Sequence, residues 1–170
     1  DISSVDPIKG VIKKETMIFE DSPSRARRKV KDGDTIVSTV RTYLRAIAPI
    51  REPENNMIVS TGFAVIRPKA LMADYLSYAL VTPYFVESVV SRSVGVSYPA
   101  IAPTELSTIA VPMPASTEQQ AIVTFLDKNT AEINQLTEKA KQHIDLLREY
   151  RQAIISAAVT GKIDVREVIE

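Results

Sequence analysis

Residues 116–161 read STEQQAIVTFLDKNTAEINQLTEKAKQHIDLLREYRQAIISAAVTG, and this stretch decides the fold. No proline follows Pro114 and no glycine falls between Thr117 and Thr160. The residues present are mostly Ala, Leu, Glu, Gln, Lys and Arg, the strong helix formers. The pattern predicts one helix over Glu118 to Val159. Ser116 with Gln119 three residues on forms a capping-box pattern at its start, and Gly161 supplies a left-handed cap at its end. About 43 residues at about 1.5 Å each give roughly 65 Å. Such a helix needs support from outside itself.

The spacing of its apolar residues shows where that support attaches. Leu126, Asn129, Ile133, Leu136, Ala140, His143, Leu147, Tyr150, Ile154 and Ala157 recur at alternating steps of three and four, a heptad seam. A partner helix is therefore expected. The competing reading packs the stripe on the preceding part of the same chain, but a domain of about 110 residues, roughly 30 Å across, is too short to cover it. Asn129 and His143 weaken the seam's packing while fixing its register.

Residues 1–114 read differently, as short apolar runs between turn residues. Asp32-Gly33-Asp34 launches the β-branched run Thr35 to Val40, read as a strand. Ile58 to Thr61 and Phe63 to Ile66 read as a second strand or pair, with Gly62 as a bulge. Asp74 to Leu80 and Phe85 to Val90 read as short helices, the second capped by Thr82 with Pro83 in its first turn. Pro103 to Leu106 is one more helical turn, followed by an expected strand at Ile109 to Val111. The result is an α+β fold: residues 1–114 as a small mixed domain, 115–161 as the long helix and 162–170 as a tail.

Composition narrows the chemistry. The 170 residues are 45% apolar and 25% charged, as in ordinary globular chains. With no cysteine and one histidine, His143, the chain lacks disulfides, thiol nucleophiles and a Ser-His-Asp site of its own. Five dispersed glycines make no phosphate loop. Acidic pairs such as Asp32 with Asp34, or Glu52 with Glu54, suit turn capping better than metal binding. No run approaches a membrane span and no signal-peptide layout opens the chain, so a cytoplasmic location is expected.

Lys plus Arg equal Asp plus Glu at 21 each, so any nucleic-acid surface must come from clustering. Arg25, Arg27, Arg28, Lys29 and Lys31 place five cations in seven residues, read either as a phosphate clamp or as a solvated loop. Arg41, Tyr43 and Arg45 follow the first strand, and Arg92, Ser97 and Tyr98 follow the second short helix. These eleven residues are the DNA-contact set that charge and loop placement suggest. Residues 1–114 carry 14 basic and 12 acidic groups, and 115–170 carry 7 and 9, a difference too small to decide anything.

Ala110-Val111-Pro112-Met113-Pro114, Glu118-Gln119-Gln120-Ala121-Ile122, Phe125-Leu126-Asp127 and the closing run from Tyr150 to Val165, with its Ser-Ala-Ala-Val-Thr-Gly-Lys-Ile, strongly resemble the C-terminal end of type I restriction-modification specificity subunits. Asp32-Gly33-Asp34, Ser60-Thr61-Gly62-Phe63 and Tyr75-Leu76 resemble that family's target recognition domain. The resemblance implies a non-catalytic DNA-reading protein whose long helix pairs antiparallel in a coiled coil. It implies methylation (M) subunits carrying S-adenosylmethionine chemistry and motor-nuclease restriction (R) subunits using ATP and Mg, with no cofactor in this chain. The family has two recognition domains and two helices; one of each stands here. A C-terminal half, or a half-length subunit that forms a homodimer, is the expectation, with the recognition domain N-terminally incomplete. In a homodimer the two-fold axis would fall near Glu138 to Ala140. A coiled-coil scaffold without DNA recognition is the alternative, and an enzyme such as a nuclease is a third.

Overall fold

The computed structural model describes residues 1–166; the end of the expected tail, residues 167–170, lies outside the described residues. Seven short strands, β1 (Val5–Asp6), β2 (Gly10–Val11), β3 (Ala26–Lys29), β4 (Thr35–Ser38), β5 (Ile47–Pro49), β6 (Ile58–Ser60) and β7 (Phe63–Ile66), precede the helices α1 (Ala73–Leu80), α2 (Pro83–Ser91), α3 (Pro103–Leu106) and α4 (Ser116–Val159). All pairings are antiparallel: β1 with β2, β3 with β6, and a three-stranded sheet in the order β5, β4, β7. Two compact units result, residues 1–123 and residues 124–170.

β4 organises the first unit because every residue in it is buried. Alternation along the strand sends neighbouring side chains to opposite faces. Ile36 packs with Val30, Ala48, Ile50, Val59 and Phe63, whereas Val37 packs with Ile47, Leu76, Leu80, Phe85 and Ile101. One four-residue strand thus serves two cores. Its entry turn is held by Asp34, which is 1% exposed and accepts from the Lys31 backbone N–H and from Arg67 Nε and Nη2, all at 2.7 Å.

Several expectations from the sequence meet their structural limits here. β4 ends at Ser38, short of the expected Val40: the Thr39 N–H still bonds in register to the Gly62 carbonyl, but Gly62 already belongs to the turn before β7, so the pairing stops there. Gly62 lies in the turn between β6 and β7, and a Cβ there would sit 3.1 Å from Val40 Cγ2. Ile109 to Val111 forms no strand: the Ile109 N–H turns back to the Leu106 carbonyl at 3.3 Å, and its side chain enters the core without a ladder partner. The five-cation segment is not a loop, because its centre pairs with Ile58–Ser60 as β3. Thr82 does cap α2, accepting from the Phe85 N–H, with Pro83 at the first position.

α4 begins at Ser116, where the Glu118 and Gln119 N–H groups bond to the Ala115 carbonyl. The capping box does not form. Gln119, 2% exposed, instead accepts from the Met72 N–H at 2.8 Å and donates to the Pro114 carbonyl at 2.8 Å. Met72 caps α1 without a side-chain bond, so this amide supplies an acceptor where α1 lacks one. Val123 packs with Tyr75 and Ala79, which is why the compact unit runs into α4 and ends at Val123. In the second unit, Gly161 (φ +73) closes α4, with the Lys162 N–H bonded to the Ala157 carbonyl at 2.8 Å.

Candidate nucleic-acid interface

Three segments of the first unit are tied together at the Ser38 end of β4. Gly62 O accepts from Thr39 N at 2.8 Å and from Thr39 Oγ1 at 3.0 Å, while the Thr61 N–H donates to the Arg25 carbonyl at 2.7 Å. The Ile101 N–H donates to the Thr39 carbonyl at 2.9 Å, and Val40 bridges Ala100. Arg25 and Arg41 therefore flank the same Thr61-Gly62 turn, although sixteen positions separate them in the chain. Lys31 lies toward the other end, beside the Asp34 turn, about 20 Å along an extended chain from Arg25. The structure divides the five-cation cluster between two ends of the sheet.

Within that cluster the side chains are not equivalent. Arg27 is committed to the protein: its Nη1 donates to Ser22 Oγ, the Pro23 carbonyl and the Ala26 carbonyl, and its guanidinium lies 4.9 Å from the Phe19 ring centre. Among the described residues, no side-chain hydrogen bond or ion pair engages Arg25, Arg28, Lys29 or Lys31, and all four are exposed. Arg28 and Lys29 lie in β3, with Arg25 just before it and Lys31 two residues after it; exposed cations without protein partners are the groups that neutralise phosphate.

The second group surrounds a short 3₁₀ turn, Thr42–Leu44, that joins β4 to β5. Arg41 (φ +50) and Arg45 (φ +53) flank it in the left-handed region, which side-chain-bearing residues seldom occupy. Thr42, 3% exposed, anchors the turn by donating from Oγ1 to Ser93 Oγ at 2.7 Å. The Arg41 guanidinium sits 4.8 Å from the Tyr98 ring centre. Tyr43, Ser97 and Tyr98 are exposed beside it. Arg45 is held by Glu87 on α2 at 2.7 Å, and Arg92 Nη1 donates to Thr108 Oγ1 at 2.7 Å. Among the described residues, Arg41 is thus the arginine of this group without a side-chain hydrogen bond or ion pair, its guanidinium held against an aromatic ring.

The sequence pattern gave no prominence to the most exposed of the large apolar side chains among the described residues. Val96 is 101% exposed and Val94, two positions before it, 80%. A β-branched residue reads as core or strand, and the available signal was Gly95 between the two valines, which marks a turn.

The acidic pairs have structural work. Asp32 Oδ1 accepts from the Glu52 N–H at 2.7 Å, and Asp34 is engaged by Arg67. Burial alone would raise the Asp34 carboxyl, but the Arg67 hydrogen bonds, the Lys31 N–H and the adjacent positive charges hold it below the ordinary carboxylate range. No group of three or more metal-ligating side chains occurs among the described residues. In the second unit, Ile133, Leu136, Ala140, His143, Leu147, Tyr150 and Ile154 are exposed, and Leu126, Asn129 and Ala157 are half-buried.

The type I restriction modification DNA specificity domain family matches residues 13–146, and the chain belongs to that family. Among characterised relatives, it is 27% identical over 99 residues to the type I restriction enzyme StySPI specificity subunit of Salmonella potsdam, covering 58% of this chain and 21% of that protein. The EcoKI specificity subunit of Escherichia coli strain K12 is 27% identical over 100 residues, 58% of this chain and 22% of that protein. The matched stretch spans about a fifth of the length of these curated relatives. The HsdS subunit from Thermoanaerobacter tengcongensis superimposes with a TM-score of 0.69 at 27% identity, over 86% of this chain and 39% of that one. A chain from a type I restriction-modification system, described for its complex assembly and conformational transition, gives 0.72 over 91% and 41%; at 24% identity it supports the fold alone.

Proposed function

We propose that this chain is a DNA sequence-specificity module of a type I restriction-modification system, reading one half of a bipartite duplex target. The observation that carries this reading is the span of the family match, which runs from residue 13 across the folded unit and on to residue 146 within α4. The unengaged cations on and beside β3 and the Arg41–Tyr98 pair supply the surface, and the seam of α4 supplies the attachment. Arg25, Arg28, Lys29 and Lys31 serve as phosphate contacts; Arg27, Arg45 and Arg92 shape the surface through their internal bonds.

The module performs no catalysis. It works in the cytoplasm and presents a selected DNA site to methylation subunits, which hold S-adenosylmethionine, and to restriction subunits, which use ATP and Mg. None of the helices among the described residues is long and apolar enough to cross a membrane. The partner helix comes from a second copy of the chain or from an N-terminal half; light scattering across a concentration range separates the two, a dimer implying an inverted-repeat target. In either case helix length acts as a ruler for the gap between half-sites.

The direct test is selection of duplexes from a randomised pool, followed by binding of the winner at several salt concentrations. Enrichment of one sequence, with affinity falling steeply as salt rises, is expected. A scaffold without DNA recognition would enrich nothing, and its duplex binding would stay at nonspecific background. That outcome overturns the proposal.

A further inference from the structure

Single exposed apolar residues are ordinary, but several on a backbone-locked loop are not. Val94 and Ala100 exchange two backbone hydrogen bonds of 2.9 Å, so residues 95–99 form a closed loop. Its turn depends on Gly95, at φ +117, where a Cβ would lie 3.2 Å from the Tyr98 carbonyl oxygen. From this frame Val94, Val96 and Tyr98 project at 80%, 101% and 66% exposure. The 3₁₀ turn braces it through the Thr42–Ser93 hydrogen bond and the Arg41–Tyr98 stack. Two left-handed arginines in that turn hold a costly backbone conformation, a common feature of functional loops.

Charge selects the occupant. No acidic residue occurs from Arg92 through Thr104 or from Thr35 through Glu52's neighbour Arg51, and Glu87, which faces this region, is paired with Arg45. An apolar tip bordered by an arginine that pairs with no carboxylate suits a polyanion that offers apolar base edges between its phosphates. Duplex DNA has that chemistry: guanine takes two hydrogen bonds from an arginine fork, and thymine presents a methyl group.

We propose that the 94–100 loop and the Arg41–Arg45 turn form one preorganised base-reading finger, while β3 holds phosphate and reads no sequence. Tyr98 holds the Arg41 guanidinium in place for paired bonding to one base, and Val96 meets a neighbouring base edge. This rests on the DNA-reading function proposed above and divides its labour between two elements.

The test uses the full chain, the duplex enriched from the randomised pool and a scrambled duplex of equal length. Arg41→Ala is expected to cut the affinity ratio between the two by about tenfold or more, and Val96→Ala or Tyr98→Ala by about fivefold or more. Their affinity for the scrambled duplex should stay within about twofold. Paired Arg28→Gln and Lys29→Gln changes should weaken both duplexes equally and make the salt slope shallower by about two, with the ratio intact. Val96 and Tyr98 lie outside the cores, so their variants should unfold at the wild-type temperature. Gly95→Ala, which disturbs the loop without removing a contacting side chain, should also lower the ratio.

If the wild-type chain enriches no sequence, the DNA-reading function fails and the finger with it. If it discriminates and the finger variants discriminate equally well, or if the β3 pair changes the ratio, the finger alone is overturned.

Discussion

Residues 1–123 and the helix beyond Val123 satisfy their apolar residues in opposite ways. In the first unit β4 buries both faces, so a strand of four residues is held by two cores. Beyond Val123 the helix has strong intrinsic propensity but exposes Ile133, Leu136, Leu147 and Tyr150 by 59–66%. One region is stabilised by contacts within the chain, while the other leaves its apolar seam exposed, the surface proposed above for a partner helix. Tertiary packing, more than propensity, normally supplies helical stability, and the 44-residue helix has it only in its first turns, where Gln119 and Val123 are buried.

The sharpest way to break this comparison is at Asp34. Its carboxylate is buried and joins the Lys31 turn to Arg67, so Asp34→Ala removes three hydrogen bonds and leaves the Lys31 N–H without its acceptor. Arg67 is half exposed and regains water, which places the expected loss at about 2–3 kcal/mol. Chemical denaturation followed at the first unit measures it. The pH dependence follows from the lowered carboxyl. The unfolded chain binds a proton at higher pH than the native one, so the contribution is full above the ordinary carboxylate range and is lost as pH falls through the native value. Asp34→Asn should remove that acid sensitivity. An Asp34→Ala chain as stable as wild type would mean that the turn is held by the cores alone.

The joint between the regions comes next. Gln119→Ala removes the acceptor of the Met72 N–H and a donor to the Pro114 carbonyl, at an expected cost of about 1–2 kcal/mol. Gln119→Glu keeps the acceptor and loses the donor, so it should fall between Ala and wild type. Equal stability of all three would show that α1 is positioned by Tyr75, Ala79 and Val123 without the amide.

Gln119 also illustrates what a sequence conceals. As the third residue after Ser116 it fits a capping box, yet its amide answers a need in α1, 47 positions earlier. Local patterns carried the fold wherever local forces decide: α4 from its unbroken run of helix formers, β4 from β-branching after an Asp-Gly-Asp turn, α2 from Thr82 and Pro83. They failed where a distant partner decides. Ala26–Lys29 becomes a strand because Ile58–Ser60 lies beside it, and Ile109–Val111 does not because no strand does. The same limit applied to the interface. Charge placed Arg25 to Lys31 and Arg41 among the expected contacts, but nothing in the sequence distinguished the unengaged cations from Arg27, Arg45 and Arg92, whose partners are one to forty-two positions away.

The smallest expected effect on the first unit is the most informative about the second. Leu136→Glu with Leu147→Glu places two charges on the seam at positions 66% exposed. Exposed substitutions without native contacts change stability by less than about 0.5 kcal/mol, so unfolding of residues 1–123 should be unaffected. The helix signal at 222 nm should respond differently. Exposed pairs such as Glu138 with Lys141 and Asp145 with Arg148 each add only about 0.2–0.5 kcal/mol to an isolated helix. Two seam charges should therefore abolish association through α4 and lower its thermal midpoint, detectable by sedimentation and by circular dichroism across concentration. A double variant that keeps its association and its helix would remove the heptad seam as the means of attachment. One that unfolds the first unit would show instead that the seam is covered by residues 1–123, and the contrast between the two regions would then disappear.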